Sequence, residues 1–148
     1  DLKFGRTVHS LIQALVRYTN IKFILISPEE LRLPGYIRKD VLEKQNIPYE
    51  EVERLEEALP QLDVLYMTRV QKERFTDLME YERVKDTFIL RNDMLTDTKP
   101  NLRILHPLPR VNEIEQDIDT NPKAYYFQQA KNGLYVREAL ICNALNML

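Results

Sequence analysis

Arg69, Gln71 and Lys72 stand within four residues of one another, and Arg6 opens the first helical pattern. An arginine presents a planar fork of donors that matches a carboxylate, so two such forks suit a dicarboxylate. Gln71 both donates and accepts, which suits the orientation of an amine or amide. The same charges also read as an ordinary solvated surface, paired with Glu73, Glu80 or Glu82. A second segment with chemical potential is "LHPLPR", Leu105–Arg110. Pro107 and Pro109 fix φ near −65° and lack an N–H, and they push His106 and Leu108 toward extended backbone. This stiff stretch presents backbone carbonyls in set directions, or it is simply a rigid exit from a strand. His106 has the type of a general base, but a single histidine at a strand end also serves as a structural hydrogen-bonding residue, as does His9. No nucleophile–base pair is evident. Neither Gly5 nor Gly133 belongs to a phosphate-cradling or dinucleotide-binding loop.

Composition narrows the classes. The 148 residues suffice for one domain with a sizeable core. They are 44% hydrophobic and 30% charged, with a net charge of −2 and both signs interspersed, which leaves no nucleic-acid footprint. One cysteine, Cys142, permits no intrachain disulfide and fits a reducing, cytoplasmic setting. With two histidines far apart and no CxxC, neither a metal nor another cofactor is expected. No apolar run is long enough to cross a membrane. Starting at Asp1 rather than Met, the sequence reads as processed or as a fragment.

The elements that must position these residues alternate. Apolar spacing predicts a helix over Arg6–Tyr18, with Gly5 allowing a sharp entry and Thr7 able to cap it. Lys22–Ile26 reads as a buried strand. Ser27–Glu30 ("SPEE") reads as a cap, a proline and an acidic first turn. A helix over Pro34–Gln45, a strand over Ile47–Val52 and a short helix over Leu55–Leu59 follow. Asp63–Thr68 is the next strand, then a polar connection over Arg69–Asp77 and a helix near Met79–Lys85. Thr87–Leu90 reads as strand, Asn92–Leu95 as a short helix and Leu102–Leu105 as the last strand. Near-continuous apolar strands alternating with helices predict an α/β, doubly wound, mainly parallel sheet, Rossmann-like, with helices on both faces and no dinucleotide fingerprint. Ligands in such sheets bind beyond the carboxyl ends of the strands. There lie the entry to the first helix, the Arg69 loop and the proline segment.

From Leu134 to Leu148 apolar residues occupy more than one helical face, whereas a helix lying on one sheet shows a single stripe. The pattern fits a helix buried within its own domain as well as one that packs on protein outside it.

Four blocks, "DLKFGRTVHSL", "DVLYMTRVQKER", "LHPLPRVNEI" and "YYFQQAKNGLYVREAL", together resemble the aspartate-binding, carboxyl-terminal half of the aspartate carbamoyltransferase family. They fall in the family's order and spread across the chain. The sister ornithine enzymes typically have Cys at the position of Pro107 and lack the "TRVQKER" loop. The resemblance implies transfer of a carbamoyl group from carbamoyl phosphate to the α-amine of L-aspartate, in pyrimidine synthesis. It implies that Arg6 binds the aspartate carboxylates, that Arg69 holds the side-chain carboxylate and that Gln71 places the substrate. Carbonyls around Pro107, Leu108 and Pro109 would accept from the carbamoyl NH2, with Leu108–Pro109 cis. An X–Pro bond is cis only about 5–6% of the time, so that expectation rests on the family. The resemblance further implies a homotrimer, in some assemblies joined by regulatory chains, and an amino-terminal carbamoyl-phosphate domain. It divides the chain into an aspartate-binding part, 1–130, and a last helix, 131–148, that would pack on that amino-terminal domain or, without it, on another copy. That domain's S-T-R-T phosphate loop is absent from this sequence, so no catalytic residue is assigned here. Phe4 replaces a frequent tyrosine, and the "ERFTDLMEY" loop is about a residue longer than in some relatives. Two other readings stay open: a non-catalytic domain that kept the fold, and a carbamoyltransferase for another amino acid. Arg69 disfavours a cationic substrate such as ornithine.

Overall fold

The computed structural model describes residues 1–147, and its architecture follows from how strand side chains alternate. The elements are α1 (Arg6–Leu15), β1 (Phe23–Ile26), α2 (Gly35–Ile37), β2 (Tyr49–Val52), α3 (Leu55–Ala58), β3 (Val64–Tyr66), α4 (Leu78–Val84), β4 (Arg103–Leu105) and α5 (Tyr126–Ala144). β1 pairs with β2 and β3 with β4, both in parallel. Between the two pairs, contact is through side chains rather than a ladder. Ile24 and Ile26 of β1 and Leu65 of β3 enter one apolar cluster with Leu55 and Ala58 of α3, Ile104 and Tyr126. The alternate residues Leu25 and Tyr66 join the other cluster with Val8 and Ile12 of α1, Ile37 and Leu42. Both faces of the strands are thus covered, as a doubly wound α/β layout requires.

Local departures from the sequence reading have local causes. The helix expected over Pro34–Gln45 is helical but irregular: α2 passes into a π-helical stretch at Arg38–Leu42 and a 3-10 turn at Glu43–Gln45. Ile37 and Leu42, five apart, are both buried, and the wider i→i+5 turn brings them toward one face. Asn46 ends the run in the left-handed region at φ 54°. Ser27 does not cap a helix. Its N–H extends the β1–β2 ladder by donating to Val52 O at 3.1 Å, and only a 3-10 turn, Glu29–Leu31, follows. Thr7 does not cap α1 either, since Gly5 occupies that position without a side-chain bond. The helix stops at Leu15 rather than Tyr18. Thr87–Leu90 is not a strand: only Leu90 pairs, in parallel with Ile114, because the chain around Glu113 is bent and offers a single rung.

α5 starts eight residues before the apolar pattern at Leu134 and runs unbroken through the expected 130/131 division. Its first turns are anchored by Tyr126, which is fully buried. Beyond them Leu134, Val136, Leu140 and Ile141 are each more than half exposed. No described residue of the chain covers them. Leu148, the last apolar residue of that pattern, lies outside the described residues. Among the described residues no helix is long and apolar enough to cross a membrane.

Candidate functional site

The β3–β4 ladder decides what lies together. Val64 pairs with Arg103, Leu65 with Ile104 and Tyr66 with Leu105, and Met67 N–H donates to Leu105 O at 2.9 Å. The two strands therefore end side by side, one entering the Arg69 loop and the other the proline segment. The chain that leads into α1 reaches the same edge with its first four residues. The Asp1 amino group donates to Thr68 Oγ1 at 2.9 Å, and Phe4 packs edge-on against Phe75 at 5.5 Å. Sequence-distant Arg6, Arg69, Gln71 and Pro107–Pro109 are thus carried to one end of the sheet.

Gly5 has a steric reason. A Cβ there would meet Asp1 O at 2.4 Å, so the turn that brings Arg6 to this edge requires the missing side chain. His9 holds the same turn, with Nε2 at 2.7 Å from Leu2 O and Nδ1 at 3.1 Å from Tyr36 Oη. Arg6 itself is exposed.

In the loop, Arg69 pairs with Glu73 at 2.6 Å, and Arg74 Nε donates to Gln71 Oε1 at 3.3 Å. The Glu73 carboxyl is held below its ordinary value by a backbone amide first and by Arg69 second. These contacts are solvent-exposed, so an incoming anion can exchange for Glu73 at little cost. Phe75 bridges Phe4 and Tyr81, edge-on to each, and Lys72 lies over the Tyr81 ring. The aromatic chain ties the loop to the α1 entry without the hydroxyl that a tyrosine at position 4 would add.

The proline segment is built differently. Leu108–Pro109 is cis, as the resemblance implied, but Leu108 is not extended as the following proline led us to expect: it has φ 50°, a left-handed conformation that a branched residue seldom adopts, with its N–H bonded to His106. Pro107 and Pro109 are exposed, while His106 beneath them is buried. His106 Nε2 lies 2.7 Å from Glu113 Oε1, and Leu108 N–H donates to His106 Nδ1 at 2.8 Å. Glu113 Oε2 accepts from Val111 and Asn112 N–H at 3.0 and 3.1 Å. Burial works to raise the Glu113 carboxyl, but the bonds from His106 and the backbone amides outweigh it and hold it below the ordinary value. From α5, Gln129 Oε1 accepts the His106 N–H at 2.9 Å.

Arg110 is not a free anion receptor. Its fork grips Asp119 with both oxygens, at 2.5 and 2.6 Å, and also donates to Tyr126 Oη. Tyr126 donates in turn to Asp119. Burial, and then Asp119, push the Tyr126 hydroxyl up to about 12, so it stays a donor. Arg110 therefore pins the segment to α5.

Sequence reasoning missed Glu113, Asp119, Tyr126 and Gln129 as supports of the site. No local pattern marks them. Among the described residues no cluster of His, Cys, Asp or Glu is arranged to hold a metal ion.

Residues 1–144 match the family model of the Asp/Orn binding domain of aspartate/ornithine carbamoyltransferases. The chain is 60% identical over 148 residues to the aspartate carbamoyltransferase catalytic subunit of Lachnoclostridium phytofermentans, covering all of this chain and 48% of that protein. It is also 60% identical over 147 residues to the corresponding subunit of Bacteroides thetaiotaomicron, covering 99% of this chain and 47% of that protein. The chain thus spans about half the length of the curated relatives it matches. Among solved structures, the catalytic subunit of M. jannaschii aspartate transcarbamoylase superposes with a TM-score of 0.90 at 44% identity, over 100% of this chain and 48% of that one. The Trypanosoma cruzi aspartate transcarbamoylase in complex with carbamoyl phosphate and aspartate superposes with a TM-score of 0.87 at 33% identity, over 95% of this chain and 47% of that one.

Proposed function

The chain belongs to the aspartate/ornithine carbamoyltransferase family through its Asp/Orn binding domain, and from that membership we propose that it is the aspartate-binding half of an aspartate carbamoyltransferase. The observation that supports the reading is the shared edge of β3 and β4, where the Arg69 loop and an uncharged, rigid stretch of backbone leave adjacent strands. Aspartate needs both kinds of partner, charged forks for its carboxylates and a neutral surface against which a carbamoyl group can lie.

In this reading Arg6 binds the aspartate carboxylates and Arg69 exchanges Glu73 for the side-chain carboxylate. Gln71 places the substrate. Carbonyls of Pro107, Leu108 and Pro109 accept from the carbamoyl NH2. The α-amine attacks the carbamoyl carbon and gives a tetrahedral intermediate. The carbon–oxygen bond to phosphate then breaks, the amine loses a proton, and N-carbamoyl-L-aspartate and phosphate leave. This chain contributes orientation, which can supply roughly 7–11 kcal/mol of the barrier when two bound reactants are aligned. Phosphate binding, carbonyl polarisation and proton transfer fall to the amino-terminal half and to a neighbouring subunit of a homotrimer, to which regulatory chains could add. No metal or other cofactor enters. A cytoplasmic setting accords with the single cysteine.

The family includes ornithine enzymes, and the arginine at position 69 sets the choice, because a cationic side chain would be repelled there. The test is an assay of carbamoyl-aspartate formation with the chain alone, with a separately made carbamoyl-phosphate half added, and with Arg69→Ala in that mixture. Activity only in the mixture, lost in the variant, is expected. A mixture that associates without turnover would return the domain to a binding role.

A further inference from the structure

Four of the five amides that the prolines leave between residues 106 and 112 are held by buried or half-buried side chains. They are those of His106, Leu108, Val111 and Asn112, on Gln129, His106 and Glu113. The Leu108 amide is the informative one. A backbone N–H can only donate, so His106 Nδ1, 2.8 Å away, must present its lone pair. The ring proton of a neutral imidazole then sits on Nε2, which lies 2.7 Å from the Glu113 carboxylate, an acceptor. Both ring nitrogens are satisfied in one tautomer only.

The Pro107–Leu108 peptide is planar and trans, so its carbonyl points opposite to its N–H. With the N–H directed inward at a ring that is 2% exposed, the Pro107 carbonyl is aimed outward, on the side of the exposed prolines. The bond also holds Leu108 at φ 50°, where its side chain is disfavoured.

We propose that His106, as the neutral Nε2–H tautomer oriented by Glu113, is a positioning residue that aims the Pro107 carbonyl. Its consequence for carbamoyl transfer rests on the function proposed above, whereas the tautomer does not. The residue that matters is the one that spacing alone offered as a general base. Its two nitrogens are both occupied inside the protein, so it acts through the backbone rather than on a substrate.

Two measurements test this. Long-range proton–nitrogen correlation on histidine-labelled protein at neutral pH should give His106 a pyrrole-like Nε2 and a pyridine-like Nδ1, assigned by the signals lost in His106→Gln. A protonated Nδ1 overturns the proposal whatever the activity. The second measurement uses the chain joined to the amino-terminal half that its relatives possess. In His106→Asn the amide oxygen replaces Nδ1 as acceptor for Leu108. In His106→Gln the amide nitrogen replaces Nε2 as donor to Glu113, and the Leu108 acceptor is gone. His106→Gln should lower kcat by about ten- to a hundredfold with a much smaller change in KM for aspartate, and His106→Asn should recover most of it. Equal losses, or none in either variant, overturn the positioning role. A wild-type protein without transfer activity overturns the functional reading instead, and the nitrogen spectrum still decides the tautomer.

Discussion

The loop after β3 and the segment after β4 leave neighbouring strands at the same edge, yet they are held by opposite means. Arg69–Glu73 and Arg74–Gln71 are exposed contacts between long side chains, backed by aromatic edges at Phe75. His106–Glu113 and Arg110–Asp119–Tyr126 tie the second segment from beneath. Exposed ion pairs contribute little and exchange readily, whereas buried hydrogen bonds are costly to leave unmade. The contrast suits the two tasks proposed for these segments. A loop that greets a charged ligand must release its own anion first, and a backbone that reads a neutral group must not move.

The largest effect that would sharpen this contrast is expected from Glu113→Ala. It leaves the His106 Nε2–H and the Val111 and Asn112 amides without an acceptor, at a cost of about 3 kcal/mol in urea unfolding. A cost below about 1 kcal/mol would show that the segment does not depend on its buried support. Acid should act in the same direction. The Glu113 carboxyl is held below its ordinary value of 4.5, so its stabilising contribution is complete above that pH and is lost as pH falls through the lower folded-state value. A Glu113→Gln protein should therefore lose less stability than the wild type on acidification below 4.5.

Tyr126→Phe keeps the buried ring and removes the hydroxyl that donates to Asp119, with an expected loss of about 1.5 kcal/mol by thermal or urea unfolding. Phe75→Ala deletes two edge contacts in the other region, and about 1 kcal/mol is expected. Its amide-exchange signature should stay within residues 69–81, and spread into 106–113 would break the separation drawn here. At the small end, Glu73→Gln should leave the melting temperature unchanged within error, because the Arg69 pair is exposed. A clear drop would mean that the loop is as firmly built as its neighbour.

Much of this was legible in one dimension. The strand cores "KFILI", "DVLYMT" and "LRIL" and the alternation with helices identified a parallel α/β layout, because side-chain period and apolar run length are local properties. The prolines at 107 and 109 marked a rigid strand exit for the same reason. Arg69, with Gln71 and Lys72 close by, was legible as a cluster, and Arg6 joined it once the layout placed strand ends together. The failures cluster where a distant partner overrides a local preference. Ser27 looks like a cap but spends its N–H on Val52, and Thr87–Leu90 has strand composition but only one rung to pair with. The partners of Arg110, Asp119 and Tyr126, lie 9 and 16 residues away, beyond the reach of any local pattern.

Local pattern thus accounts for the parallel α/β alternation, the rigid turn and the residue types that could greet a dicarboxylate. Periodicity, proline geometry and charge act within a few residues and need no fold to be read. Only the tertiary structure decided the pairings: Glu73 on Arg69, Glu113 on His106, Gln129 from α5 beneath the proline segment. Those depend on which strand ends adjoin and which groups are shut away from water. Burial converts an unremarkable glutamate seven residues from a histidine into the support of the proposed binding edge.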